Sequence, residues 1–257
     1  VNLHLLMVSF YRPSKKRYKI LCEEKAFPSD QYMLQSQVRF HGFDPKDAIV
    51  EVFKRPGEHH WNTNDIIEKI NEIGDELALV ILGGVNYYNG QVFDMKAITG
   101  AGKSVDAMVG WDLAHAAGNI ELKLHEWNCD FAAWCSYKYM NSGPGNASGI
   151  FIHEKHLGQE NIPRFEGWWG TSKETRFLMK QEFEPIETAD AWQLSNPPVL
   201  ALAPYLASLV LFEEVGMEAL IEKRNKIVSY LEFILHEIDN EVDSTFEIAS
   251  WRGAVFI

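Results

Sequence analysis

Two short stretches of the chain carry side chains that chemistry could use. In "FAAWCSYKYMNSGPGN", Phe131 to Asn146, Lys138 stands between Tyr137 and Tyr139 where an apolar run gives way to a glycine-rich loop. In "VGWDLAHAAGN", Asp112 ends another apolar run and His115 follows three residues later. Taken singly, each has a plain explanation. A lysine at a strand end can lay its stem over apolar surface, and an aspartate there can cap a helix that carries the histidine on its face. Together they say more, because the carboxyl ends of parallel strands line the ligand crevice of an α/β sheet. An amine and an acid at that edge can engage a carbonyl carbon and a cationic ring nitrogen.

The elements that must hold these groups follow from the patterning. Short β-branched runs alternate with helical periodicity, which implies an α/β fold with a mainly parallel central sheet flanked by helices. The cluster Asn62-Thr63-Asn64 caps a helix with an inner stripe of Ile66, Ile67, Ile70 and Ile73, and Gly74 stops it. Leu77 to Leu82 reads as a buried strand, a helix spans about Asp94 to Gly100, and Val105 to Trp111 is a strand ending on Asp112. Phe131 to Cys135 and Gly149 to His153 are the next strands. From Pro197 the chain is almost wholly helical, interrupted near Gly216. The expected division is a large domain over residues 1–198, then a connecting helix and the start of a smaller α+β domain over residues 199–257. The chain opens without Met inside an apolar run and ends on the strand-like "RGAVFI", so it reads as an internal piece of a longer protein.

Composition excludes several classes. The 257 residues are 46% hydrophobic, enough for a large core, and the net charge of -12 argues against nucleic acid. No apolar run reaches the length of a membrane span. Cys22, Cys129 and Cys135 form no CxxC pair and leave one over, which fits a reducing cytoplasm. "GAGKS" at Gly100 to Ser104 looks like a phosphate loop, but Ala97 stands where the first glycine belongs. "GPGNASG" has one residue too many for a dinucleotide fingerprint. His153 and His156 have metal-like spacing but read as a solvated turn, and His59-His60 is equally plain. What remains is the pairing of Lys138 with Asp112, and pyridoxal phosphate is a cofactor that needs such an amine and such an acid.

At these residues the chain resembles the fold-type-I pyridoxal-phosphate enzymes, and its wording resembles the kynureninase family. The matching stretches include "KAFPSDQY", "GVNYYNGQVFD", "GWDLAHAAGNIELKLHEW", "DFAAWCSYKYMNSGPGN", "GWWGT" and "LSNPP", collinear from Val1 to about Pro198. The resemblance implies that Lys138 holds the cofactor covalently and that Asp112 pairs with its ring nitrogen. It implies that Phe27 stacks on the ring, with Pro28, Ser29 and Asp30 in the same "FPSD" turn. His115 would lie beside cofactor or substrate, and Tyr137 would donate to the phosphate or to the reacting substrate. Trp168 and Asn196 would join the phosphate or substrate pocket from the neighbouring subunit of a homodimer, and Arg252 would clamp the substrate carboxylate. Gly83 stands where some members of the family carry a phosphate-binding serine, so a backbone N–H is the expected substitute there. Other phosphate-binding residues of the family are expected just before Val1.

The activity so implied is hydrolysis of kynurenine or 3-hydroxykynurenine to an anthranilate and alanine, without a metal. Another enzyme of the same fold, a cysteine desulfurase or an aminotransferase, is the alternative, and a non-catalytic α/β module is a third. The cysteines disfavour a desulfurase, which needs one on a mobile loop. Choice between the two kynurenines turns on one ring hydroxyl and is not legible in the residues.

Overall fold

The computed structural model describes residues 1–159 and 161–242. A six-stranded sheet organises them, with strands β1 (Lys19–Glu23), β2 (Ile49–Val52), β3 (Leu77–Gly83), β4 (Met108–Asp112), β5 (Phe131–Trp134) and β6 (Gly149–Ile152). Their order across the sheet is β2-β1-β3-β4-β5-β6. All pairings are parallel except the last, where β6 runs antiparallel to β5. The sheet is thus mainly parallel, as expected, and its one antiparallel pairing has a physical reason. Only turns lie between β5 and β6, with no helix to carry the chain back across the sheet as a parallel crossover usually does.

Helices cover both faces. On one side lie α1 (Asn2–Phe10) and α2 (Pro28–Phe40), followed by the short α3 (Pro45–Ala48). On the other lie α4 (Thr63–Ile73) and α5 (Met95–Ser104). The unbroken apolar run of β3 now has its explanation. Leu79 and Ile81 pack with Leu6, Phe10 and Met33 beneath α1 and α2, while Val80 and Leu82 pack with Ile66, Ile70 and Ile98 beneath α4 and α5. Each such side chain, taken fully out of water, contributes about 1.5–3 kcal/mol.

Local chemistry sets the boundaries. Asn62 accepts from the Asn64 N–H at the head of α4, and Gly74 closes the helix at φ 52°. Asp94 caps α5 by accepting from the Ala97 N–H. This helix runs on to Ser104, past the expected end, so "GAGKS" forms its last turns rather than a loop. Gly102 permits the close approach of α5 to the sheet, since a Cβ there would fall 2.6 Å from Val109 Cγ2. Asp106 then turns the chain at φ 59°, and β4 starts at Met108 rather than Val105.

Two further helices, α6 (Val199–Val215) and α7 (Met217–Val242), follow the sheet domain and break at Gly216, as expected. Ser208 of α6 donates to the Met140 carbonyl at 2.7 Å. Arg224 of α7 donates to the Asn119 carbonyl at 2.7 Å, and Asn119 Nδ2 donates to the His115 carbonyl at 3.0 Å. Among the described residues no single helix is long and apolar enough to cross a membrane; only α6 and α7 together reach that length, and they meet at 84°. The start of the smaller α+β domain, and Arg252 with it, falls outside the described residues.

Candidate functional site

Three neighbouring strands end on the same edge of the sheet. β1 ends on Glu23, β3 on Gly83 and β4 on Asp112, and the parallel register sets Gly83 directly across from Asp112. Beyond that edge is a cavity of about 240 Å³ whose wall includes these three residues with Phe27, Asp30, His115 and Lys138. The pairing inferred from two separate stretches of sequence is therefore present: Asp112 and Lys138 line one cavity.

Each side chain is placed by its own element. Asp112 accepts from the Ala114 N–H at 2.8 Å, which turns the chain and brings His115 round to the cavity. No helix follows Asp112, so its capping is of a turn. Lys138 sits in the loop after β5. Ser136 pins that loop: its buried hydroxyl meets Ser142 Oγ at 2.7 Å and donates to the Ala147 carbonyl, and Asn146 Nδ2 donates to the Ser142 carbonyl at 2.7 Å. Lys138 Nζ reaches His115 Nε2 at 2.9 Å and lies 5.9 Å from the centre of the Phe27 ring. Burial first, and then the lysine charge, hold His115 below the ordinary histidine range, so its neutral Nε2 accepts from the amine. Phe27 is the residue before α2, and its ring meets Tyr87 edge-on at 5.3 Å.

The opposite wall is acidic. Asp30, in the first turn of α2, is hydrogen-bonded to Asp112, with the Ser29 hydroxyl 3.3 Å away. Burial, and then the neighbouring Asp112, push the Asp30 carboxyl up to about 9, so Asp30 keeps its proton at neutral pH. Glu23, only 4% exposed, accepts from the Gly83 N–H at 3.2 Å, and burial pushes it up to about 7. Among the described residues no lysine or arginine forms an ion pair with Glu23, Asp30 or Asp112. The cavity thus offers an amine on one side, an aromatic ring beside it, and carboxyls without a basic partner across from it. That donor set fits a planar group with a carbonyl at one end and a cationic nitrogen at the other.

The other expected residues divide. Ser29 and Tyr137 line the cavity, and the Tyr137 hydroxyl, hydrogen-bonded to Cys135, is raised above its ordinary range. Pro28 opens α2 and does not reach the wall. Gly83 is on the wall, but its N–H is engaged by Glu23. Trp168 lies in a short 3-10 turn outside this cavity. Asn196 lines a second cavity of about 540 Å³, which meets the first at Val1, Asn2 and Ser148.

Sequence reasoning missed Glu23, although it ends an apolar run just as Asp112 does. It also misread His153 and His156, which are 8% and 7% exposed rather than solvated. His156 Nε2 bonds Asp130 at 2.8 Å, Lys155 and Lys103 join the same carboxylate, and the Val109 N–H completes it at 2.7 Å. Among the described residues no group of histidine, cysteine and acidic side chains is arranged to hold a metal ion.

Comparison with known proteins gives concordant results. The aminotransferase class-V family profile matches residues 45–245. A kynureninase of Christiangramia forsetii is 75% identical over 248 residues, covering 96% of this chain and 58% of its own length. One from Flavobacterium johnsoniae is 70% identical over the same shares. This chain therefore spans little more than half the length of the curated relatives it matches. Among solved structures, a cysteine desulfurase from Thermococcus onnurineus NA1 superposes with a TM-score of 0.68 at 19% identity, covering 92% of this chain and 56% of that one. At that identity the likeness speaks for the fold alone.

Proposed function

We propose, from the premise that this chain belongs to the aminotransferase class-V family, that it is the cofactor-binding part of a pyridoxal-phosphate-dependent kynureninase. The observation that carries this reading is the cavity in which Lys138, His115 and Phe27 face Asp112 and Asp30. The kynureninases at 70% and 75% identity support its choice of substrate.

Lys138 would hold the cofactor through its amine, Phe27 would cover the ring, and Asp112 would keep the ring nitrogen protonated. When bound, that protonated ring supplies an electron sink for a carbanion at the substrate Cα. The chain's own residues do the rest. Lys138, once released, is placed to move the Cα proton, and His115 accepts from its amine and so orients it. Tyr137 would donate to the phosphate or to the carbon released when water has added to the γ-carbonyl and the Cβ–Cγ bond breaks. Ser29 would support the "FPSD" turn that carries Asp30. Gly83, its N–H engaged by Glu23, would bound the pocket rather than bind phosphate. Trp168 and Asn196 would complete the substrate pocket from the second subunit of a homodimer, and Arg252 would clamp the substrate carboxylate. The products would be alanine and an anthranilate, made in the cytoplasm.

A cysteine desulfurase reading is less well supported. Cys22 and Cys129 are buried, and Cys135 immediately follows β5 rather than riding on a mobile loop. The test uses the full-length protein with pyridoxal phosphate. A visible absorbance band, fixed onto Lys138 by borohydride and lost in Lys138→Ala, together with cleavage of kynurenine, is the expected outcome. No band, or a band without kynurenine cleavage, overturns the reading.

A further inference from the structure

Glu23 is an acid on the cavity wall to which no step above gives a task. It is almost fully buried, ends β1 beside the ends of β3 and β4, and holds the Gly83 N–H at 3.2 Å. The titratable groups that share the cavity wall with it are Asp30 from α2, Tyr87 from the loop after β3, Asp112 from β4, His115 from the turn after β4, and Cys135, Tyr137 and Lys138 from the loop after β5. Next to it in sequence, Glu24 points away into an ion pair with Lys54 at 3.1 Å, which therefore does not neutralise Glu23.

A charge on Glu23 is costly here. With Asp112 alongside it, a charged Glu23 carboxylate in this buried position meets both desolvation and repulsion. Burial and the Asp112 charge both disfavour ionisation of Glu23, and only backbone N–H groups favour it. A cation brought against Asp112 removes that repulsion and replaces it with attraction.

Resting on the cofactor reading above, we propose that Glu23 is a positioning residue: a neutral acid beside Asp112 in the empty cavity, which releases its proton to solvent when a cationic ring settles on Asp112. The proton leaves the Glu23 carboxyl for buffer and no other bond changes. Linkage fixes the direction. Because the bound cation lowers the pH at which Glu23 ionises, affinity for the cofactor rises with pH until Glu23 is ionised in the empty cavity as well, near pH 7, and is flat above.

The experiment titrates full-length protein with pyridoxal phosphate in calorimetric buffers of different ionisation heat, between pH 5.5 and 7.5. Lys138→Ala removes the covalent link, and Glu23→Gln is compared on that background, so the cofactor's own titration cancels. The expected result is about 0.3–0.5 proton more released with Glu23 than with Gln, and an affinity that climbs about three- to tenfold more across the range. An infrared difference spectrum of the protein with Glu23 in place gives a second readout that survives a misfolded variant. A protonated-carboxyl band should disappear on cofactor binding. Binding with equal proton release in both variants, or with the carboxyl band unchanged, overturns the role of Glu23 alone. No cofactor binding in any form overturns the cofactor reading and this inference with it.

Discussion

The two ends of the strands treat buried carboxyls in opposite ways. At the amino end, Asp130 is fully buried yet satisfied by Lys103, Lys155, His156 and the Val109 N–H. Those partners hold it well below the usual carboxylate range despite its burial. At the carboxyl end, Glu23 and Asp30 find no basic partner among the described residues and are pushed up instead. A charge built for stability brings its counter-charge with it, whereas a charge built for a ligand leaves the counter-charge to the ligand. The pH dependences therefore run in opposite directions. The stability due to Asp130 is present above the ordinary aspartate value of about 3.9 and is lost as pH falls below it. The stability due to Asp30 and Glu23 is fully present below their ordinary values, about 3.9 and 4.3, and is lost as pH rises through about 9 and about 7.

Four substitutions sharpen or break this contrast. Asp130→Ala strands two lysines and a histidine and should cost about 3–5 kcal/mol in denaturant unfolding; a loss under about 1 kcal/mol would remove the amino-end half of the comparison. His156→Ala removes one bond to that carboxylate and the edge-on contact with Phe10 at 5.0 Å. About 1.5–3 kcal/mol should be lost, read in the same way. Asp30→Asn should act with the opposite sign. The variant does not titrate, so in cofactor-free protein at pH 8 it should be more stable than the parent by about 1–2 kcal/mol. The gain should vanish at pH 4, and thermal unfolding at the two pH values decides. Gly83→Ser should matter least. Its Cβ would stand 3.3 Å from Glu23 Oε1, closer than most such contacts, so the carboxyl must give by a few tenths of an ångström and stability should fall by about 1 kcal/mol or less.

How much of this was legible in the sequence depended on how far apart the interacting residues lie. The caps Asn62 and Asp94, the stop at Gly74 and the strand ending on Asp112 are local, and each stands where its neighbours demand. Lys138 and Asp112 could be brought together because one follows a strand and the other ends a strand of the same sheet, and strand ends share an edge. Glu23 obeys the same rule, but nothing near it in sequence marks it as more than a polar residue after a strand. The bond between Asp30 and Asp112 joins residues 82 positions apart, and depends on how the first turn of α2 meets the sheet. His156 looked solvated because its neighbours Glu154 and Lys155 are charged, whereas its partner Asp130 stands 26 residues away. The antiparallel turn of β6 was hidden for a different reason, since four residues of strand give the same pattern in either direction.

The contact of Arg224 with Asn119 has a consequence for how the two parts of the chain can move. Asn119 also holds the His115 carbonyl, so α7 is leashed to the floor of the cavity through a chain only two hydrogen bonds long. A swing of that helix about Gly216 would first have to stretch or break this link. Its displacement would tug on the very backbone that carries the imidazole against Lys138, and the helix acts less as a spacer than as a drawstring.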